Sequence, residues 1–496
     1  MSAMGFLAAD KASSLPLKET DTSGELLRFD NGLRVTFAEG CHNMLVTGTT
    51  GAGKTTSIIL PAMDRLIGAG FGGVIVDVKG SLADSVRKLA ARHGRLGDVV
   101  EFGPGPGARK INLFHGVDSF RFRDLLRSLL LDSANRDDRN IAFAMSGLRC
   151  LTQAYQMLLL LSRAQKLRLN FDILRRLIND HYYALRVYHN FKKEFEKTNI
   201  PEAEELMLAI EGDKMHIIPH DEKKQLRDNT WNEQVAYRLS VIRSAVENLC
   251  NAPGIKENFI SSRKENIDIA DRIYHKKQIV VLRLAPETGV VGAGLVRILL
   301  QEFYTAVLRH GSKLPENEYT FCIADEAQHF LSTDRTEALN DNQFIAVARE
   351  SRNINILGTQ SLSSLYARTH DEEAIRTIVS NCNVRLFLYS DDMRTRELSN
   401  ICRQKPLEEL QPGEVVLAKF NTFRRSHQYA TASVQDMYNE TQQKLAAVQD
   451  IPLPPVMPEK MPGKAALRKR QQRQRALEDS YVVKSGPRFP DASVLF

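Results

Sequence analysis

Residues Gly48 to Thr55 read GTTGAGKT, a glycine spacing and Lys-Thr pair that form a phosphate cradle, the P-loop or Walker A motif. Gly48, Gly51 and Gly53 let the backbone curl so that the N–H groups of the loop, those of Thr49, Thr50 and Ala52 included, turn inward toward phosphate oxygens. Lys54 then reaches the β- and γ-phosphates of ATP, the Thr55 hydroxyl holds Mg²⁺, and Thr56 lies in the first turn of a helix whose dipole favours the anion. The apolar run Asn43 to Val46 before the loop and Thr56 to Leu60 after it supply the strand and the helix that this chemistry needs, which a chance glycine-rich turn would lack.

A phosphate cradle hydrolyses nothing without a second element that orders the metal and activates water. Phe321 to Glu326, FCIADE, supplies it as a Walker B signature. Asp325 at the carboxyl end of an apolar strand suits the Mg²⁺ shell, and Glu326 beside it suits a water attacking the γ-phosphate. Gln360 ends the next strand, Ile354 to Thr359, where an amide orients the γ-phosphate and its water or is simply a surface glutamine. Arg349 and Arg352 flank Glu350 just before that strand. Each reads either as a finger pointing at the nucleotide of a neighbouring subunit, which requires a ring, or as half of a helix-face ion pair.

Positioning these groups takes a parallel sheet. Short apolar runs at Val74–Asp77, Val99–Phe102, Gln278–Leu284, Tyr319–Ala324, Ile354–Thr359, Val384–Tyr389 and Glu414–Lys419 alternate with helical periodicity, which predicts an α/β fold: a RecA-like P-loop NTPase with a doubly wound, mostly parallel sheet. Residues 1–40 form an N-terminal segment with a hairpin at Asp30-Asn31-Gly32. The ATPase domain comprises 41–118 and 264–433. Between its halves, 119–263 carries leucines at three- and four-residue spacings, an inserted all-α domain. Its charged stretches Phe191–Lys197 and Asp221–Arg227 read as solvated helix faces, and Trp231 and His220 receive no role. Residues 434–496 hold a polar helix, a proline-rich linker from Ile451, and a basic tail in which Lys460 to Arg475 contains seven Lys or Arg and no acid. Such a tail grips phosphates or an anionic membrane, or is a solvated extension.

At 496 residues with 43% hydrophobic content the chain has ample core. A formal charge of +7 and a pI near 9.0 favour an anionic partner without proving nucleic-acid binding. The six cysteines are far apart and contain no CxxC pair, which suggests neither a zinc knuckle nor a disulfide framework and fits a reducing compartment. No run approaches the roughly 18 to 20 consecutive apolar residues of a membrane span, so the expectation is a cytoplasmic protein without a transmembrane segment.

The P-loop, the DxKG core of Val76-Asp77-Val78-Lys79-Gly80, the FGPG before Ile111-Asn112-Leu113-Phe114, the helical insertion, QIVVLRL, the ADE of Walker B, ARESRNINILGTQS (348–361) and PGEVV (412–416) occur in an order that resembles the type IV coupling proteins of the TraD/TraG class, within the FtsK/HerA group of hexameric P-loop motors. The resemblance spans roughly 40–420. It implies an ATPase that drives DNA, single- or double-stranded, through or against a homo-hexameric ring. Lys54 and Thr55 then hold ATP and Mg²⁺, Asp325 and Glu326 form the Walker B pair, Gln360 is the sensor and Arg349 the finger, with Arg352 a second candidate. It also implies relaxase or secretion-system partners. Coupling proteins usually begin with a membrane anchor, which this sequence does not show. That leaves recruitment to the inner membrane through a partner protein, a platform delivering protein cargo, or a HerA-like role in DNA processing or defence. A DEAD/DEAH helicase reading of Asp325-Glu326-Ala327-Gln328 fails for want of the downstream serine/threonine and QxxGRxGR elements.

Overall fold

The structure is a computed structural model and describes residues 24–104, 107–113, 117–133, 138–213, 233–252, 254–259, 268–283, 289–334, 337, 339–421, 426–448 and 464–482. Trp231, His220, the 221–227 stretch and the proline-rich linker lie outside these residues.

The chain enters through a hairpin of β1 (Glu25–Arg28) and β2 (Arg34–Thr36), turned at Gly32 with φ +78°. The remaining strands form one sheet: β3 (Met44–Thr47), β4 (Gly72–Asp77), β5 (Val99–Phe102), β6 (Ile279–Arg283), β7 (Thr320–Ala324), β8 (Asn353–Thr359), β9 (Val384–Phe387), β10 (Glu414–Asn421) and β11 (Ser426–Ser433). Their spatial order is β11-β10-β9-β3-β8-β7-β4-β6-β5. All pairings from β9 through β5 are parallel, whereas β10 runs antiparallel to both β9 and β11. The antiparallel edge has a simple cause. Only residues 422–425 join β10 to β11, too few for the crossover that a parallel pair needs.

Successive side chains on a strand face opposite ways, and the two cores follow that alternation. Ile75, Ile279, Val281, Phe321, Ile323 and Ile356 meet Ile59, Met63, Leu66 and Val86 from the helices after the P-loop and after β4. Val74, Val76, Val280, Leu282, Cys322 and Ala324 face the other way, onto Leu295, Leu299, Phe303 and Phe344. Both faces of the parallel strands are therefore covered, as doubly wound sheets require, and each fully buried Val, Leu or Ile is worth about 1.5–3 kcal/mol.

Between β5 and β6 the chain leaves the sheet for helices at Ser119–Ser133, Asp138–Ala164, Phe171–Asn179, His181–Phe195, Pro201–Gly212 and Glu233–Asn251. Their core is continuous with the second sheet face, and Phe122 stacks on Tyr155 at 3.8 Å within it. Asn258 pins the return: its side-chain amide donates to the Gly103 carbonyl at 2.8 Å and its own carbonyl accepts from Ile111 N–H at 2.7 Å. The apolar helix Gly289–His310 follows β6. Within it a stretch is long and apolar enough to cross a membrane by length and composition, yet 72% of that window is buried inside the fold, where it covers the sheet.

The C-terminal segment divides between the two bodies. The helix Gln435–Ala446 lies against the P-loop helix, with Met437 buried and Lys444 Nζ on Asp64 Oδ2 at 2.6 Å. The basic stretch forms a helix, Lys464–Asp479, whose end docks on the all-α insertion.

Candidate nucleotide site

β3 delivers the loop Gly48–Gly53 to the carboxyl edge of the sheet, where Gly51 (φ +86°) and Gly53 (φ +92°) adopt the left-handed conformation that other residues resist. The helix then opens as a wide π-type turn over Lys54–Ile59 before becoming α-helical at Leu60. Pro61 follows in the first turn of that α-helix. Without an N–H it makes no i→i−4 bond, which costs little at a helix start where such donors have no partner in any case.

Thr49 N–H donates to the Tyr389 carbonyl at 2.9 Å, which ties the loop to the end of β9. Lys54 is buried, and its Nζ donates to the carbonyls of Gly48 at 2.7 Å and Thr49 at 3.3 Å. Burial lowers its pKa, against the pull of Glu326 and Asp325, which raise it. The ammonium thus lies against its own loop and has only carbonyl partners to exchange for phosphate oxygens. Thr50, Gly51 and Thr56 are exposed, and Thr49, Ala52, Gly53 and Thr55 are half-buried, so the cradle opens to solvent.

β7 stands two places from β3, with β8 between them, so the two halves of the site meet across β8. Thr55 Oγ1 donates to Asp325 Oδ2 at 3.0 Å. Gly358 of β8 sits beneath this contact: a Cβ there would be 3.1 Å from Asp325 Oδ1 and 3.2 Å from Ile59 Cδ1. Asp325 is 5% exposed and its Oδ1 has no hydrogen-bond partner among the described residues. Burial raises the Asp325 pKa in spite of the Thr55 bond. An unpartnered carboxylate oxygen beside a threonine hydroxyl is an all-oxygen donor set of the kind that binds Mg²⁺, and the residues fit that ion.

Glu326 behaves differently. It turns the chain with φ +59°, is 2% exposed, and its two carboxylate oxygens are taken by Lys79 Nζ and by the side-chain amide of Gln328. Burial alone would raise its pKa, but these two hydrogen bonds outweigh it and hold the carboxyl below its usual range. Gln328 in turn accepts from Thr359 Oγ1 at 3.0 Å, closing a chain Lys79–Glu326–Gln328–Thr359 along the strand ends.

Lys79 comes from the DxKG segment, and the rest of that motif explains its aim. Asp77 at the end of β4 is 1% exposed, and its carboxylate accepts from Gly80 N–H at 2.8 Å and Ala83 N–H at 3.0 Å, fixing the turn into the next helix. Because β4 pairs with β7, the lysine two residues past β4 falls beside the acid two residues past β7.

Two buried networks brace the strands that carry the site, one at their amino ends and one behind the Walker B turn. Thr320 donates to Asn353 at 2.8 Å, Asn353 to Asn355 at 2.6 Å and Asn355 to Asn43 at 2.7 Å, an amide chain that locks the relative register of β7, β8 and the entry to β3. Below the Walker B turn, Arg297 pairs with Asp341 and Glu337, and Asp341 accepts from Tyr304 Oη at 2.5 Å and Ser332 N–H at 2.8 Å.

The structure thus brings Gly48–Thr56, Asp325 and Glu326 together. Gln360 directly follows Thr359, half-buried, and makes no side-chain hydrogen bond among the described residues; the amide against Glu326 belongs to Gln328. Arg349 and Arg352 precede β8, whereas the site lies at its other end, so neither belongs to the cradle of its own chain. Arg352, at φ +47°, donates to the carbonyls of Leu314 at 2.6 Å and of Pro315. Arg349 is exposed, and no ion pair joins it to Glu350 among the described residues. Lys79, Gln328 and Gly358 escaped assignment from sequence. The DxKG spacing was the available signal, but the strand order that gives it meaning is tertiary.

Residues 320–407 match the family described as "TraM recognition site of TraD and TraG". No match was found among curated proteins. Among solved structures, the bacterial conjugative coupling protein TrwBΔN70, unbound, superposes with a TM-score of 0.53 at 13% identity, covering 87% of this chain and 85% of the other. Plasmid coupling protein TrwB in complex with the GTP analogue GDPNP gives 0.56 at 12% identity, and with the ATP analogue ADPNP 0.56 at 11%; each covers 82% of this chain and 89% of the other. TrwB has also been solved with ADP and Mg²⁺, with a TM-score of 0.51 at 13% identity over 86% of this chain and 84% of the other. The chain has the fold of the type IV coupling proteins, a P-loop NTPase with an all-α insertion, and within 320–407 it carries the sequence signature of the TraD/TraG class.

Proposed function

We propose that this protein is an ATP-hydrolysing motor that moves DNA as a ring of identical subunits, in the manner of a coupling protein. The observation that carries the reading is the meeting of both motifs at the strand ends: Thr55 on Asp325 at 3.0 Å, with an Asp325 Oδ1 that has no partner among the described residues and the ionised Glu326 beside it. The loop amides and Lys54 bind the polyphosphate, the ammonium leaving the Gly48 and Thr49 carbonyls for it. Thr55 and Asp325 hold Mg²⁺, which when bound neutralises charge on the β- and γ-phosphates. Glu326 orients a water and accepts its proton at a carboxylate oxygen, and Lys79 and Gln328 keep that carboxylate ionised and aimed. The exposed Arg349, at the opposite edge of the sheet, suits a role across a subunit interface, where a guanidinium stabilises the charge developing on a neighbour's nucleotide. Arg352, bound to two backbone carbonyls, suits a structural one.

The test is an ATPase assay with DNA titration alongside mass measurement of the assembly. DNA-stimulated turnover in a ring is expected. Lys54→Ala abolishes nucleotide binding, and Glu326→Gln binds but does not turn over. Hydrolysis indifferent to single- and double-stranded DNA sinks the reading.

A second reading, a platform that docks a partner protein such as a relaxase or a secretion component, is favoured by the 320–407 match and by Met393 and Ile401, 71% and 55% exposed on that stretch. Met393→Glu with Ile401→Glu would abolish partner-stimulated hydrolysis and leave basal hydrolysis intact; stimulation that survives both changes counts against it.

A further inference from the structure

The chain's formal excess is localised. Lys and Arg number 67 against 60 acids, a difference of seven, and Lys460 to Arg475 alone holds seven cations and no acid. The rest of the protein carries no net charge by this count, and this segment is a local excess of cations of the kind that attracts a polyanion.

Among the described residues, the contacts that hold its helix, Lys464–Asp479, lie near its end. Arg176 reaches Glu478 at 2.8 Å and Asp479 at 3.5 Å, Tyr183 Oη donates to the Glu478 carbonyl at 2.9 Å, and Asn190 donates to the Tyr481 carbonyl at 3.0 Å. Tyr481 and Val482 are buried against the all-α insertion. Upstream of this anchor Arg468, Lys469, Gln471, Gln472, Arg473 and Arg475 are exposed. None of the four cations among them makes an ion pair with a described residue, whereas Arg87, Arg176 and Arg297 are all paired. Lys469 and Arg473 stand one turn apart on the same face, a like-charge pair that opposes helix formation. A basic helix projecting from a docked end is what a polyanion would stabilise.

Two anionic partners differ in what they require. A helix that lies in a membrane surface needs an apolar face of Leu, Phe or Trp. Here the apolar Leu477 and Tyr481 are spent on docking, and from 468 to 475 the side chains described as exposed are all Arg, Lys or Gln. Arg and Gln are groups that hydrogen-bond phosphate oxygens and base edges, and a 16-residue helix spans roughly 24 Å, enough to lie along several phosphates.

We propose that the helix Lys464–Asp479 is a nucleic-acid-binding arm, carried by the all-α insertion, that grips the phosphate backbone through Arg468, Lys469, Arg473 and Arg475. This rests on the reading of the protein as a DNA motor and adds where DNA is held outside the ATPase core.

The test uses the full chain with Arg468→Gln, Lys469→Gln, Arg473→Gln and Arg475→Gln together, all exposed and remote from the nucleotide site. Binding of a labelled 30-mer, single-stranded and duplex, is measured by anisotropy over a salt series, with DNA-free ATPase activity as control. The expected result is unchanged DNA-free activity and a log Kd against log salt slope smaller by about three for single strands, at roughly 0.7 for each phosphate that is no longer neutralised. Unaltered affinity and slope in the variant, when the wild type binds DNA, overturn the arm and leave the motor reading standing. A wild type that binds neither DNA form overturns both. Charge-dependent binding to phosphatidylserine vesicles without any change in DNA binding assigns the helix to a membrane and also overturns the proposal.

Discussion

Lys79 is the residue whose removal tests the site's electrostatics most directly. Its ammonium holds one oxygen of a carboxylate that is 2% exposed, while Lys79 itself is about half in solvent. A hydrogen bond to a buried charged group is worth about 1.5–3 kcal/mol, and exposure of one partner reduces that to about 1.4 kcal/mol, a factor of about ten. The sign follows from the Glu326 pKa, which burial raises but which the Lys79 and Gln328 bonds, with the charges of Lys54 and Lys79, bring below its ordinary value. Taking Lys79 away lets burial dominate and favours the protonated, inactive form. Lys79→Ala should therefore move the acid limb of the pH–rate profile to higher pH. The limb should rise by about one pH unit, so the loss of kcat approaches about tenfold only near pH 4, in and below the ordinary glutamate range, and vanishes toward pH 7 where Glu326 is ionised in both proteins, while Lys79→Arg, which keeps the charge, should largely preserve the profile. The assay is steady-state ATP hydrolysis with saturating DNA from about pH 4 to about pH 9. A Lys79→Ala profile that is lower by one constant factor, or not changed at all, would refute the claim that Lys79 acts through the ionisation of Glu326.

Asp325 predicts the opposite sign for stability. Its folded pKa is raised by burial, so the ionised carboxylate costs stability at neutral pH and that cost fades as pH falls through the folded pKa. Asp325→Asn should accordingly stabilise the metal-free protein at pH 7 by about 1 kcal/mol and abolish the further shift given by Mg²⁺ with nucleotide, read by thermal denaturation at both pH 7 and pH 4. The two arginines before β8 should separate cleanly. Arg352→Ala strips two carbonyls of their donor and should lower the melting temperature, by the equivalent of about 1–3 kcal/mol, whereas Arg349→Ala should leave it unchanged and reduce hydrolysis only in the assembled protein. Mixed assemblies of Arg349→Ala and Lys54→Ala subunits that regain no activity over either parent would argue against an interfacial role for Arg349.

Features that depend on local chain chemistry were legible in the sequence. The P-loop needs glycines where φ is positive, a strand before and a helix after, and all of these lie within some twenty-five residues, so GTTGAGKT and its flanks were sufficient. The Walker B acids were legible for the same reason, because an apolar strand followed by two carboxylates announces both the strand and where it stops. Short apolar runs likewise marked each parallel strand, and leucine spacing marked the insertion.

Adjacency in space was not written locally. That β8 separates β3 from β7 is a matter of strand order, and it is what puts Gly358 under the Thr55–Asp325 contact, where even a Cβ would press on Asp325 and Ile59. That β4 neighbours β7 is likewise tertiary, and it alone turns the lysine of DxKG into a partner for Glu326 across 247 residues. The same holds for the two glutamines, since position at a strand end recommended Gln360, but the turn at Glu326 carries Gln328 back to the carboxylate. It holds again for the tail, whose composition allowed a solvated extension, whereas the fold docks Tyr481 and Glu478 on the insertion. Local propensity names the groups that can do chemistry, while the pairing free energy of strands and helices distant in sequence decides which of them meet.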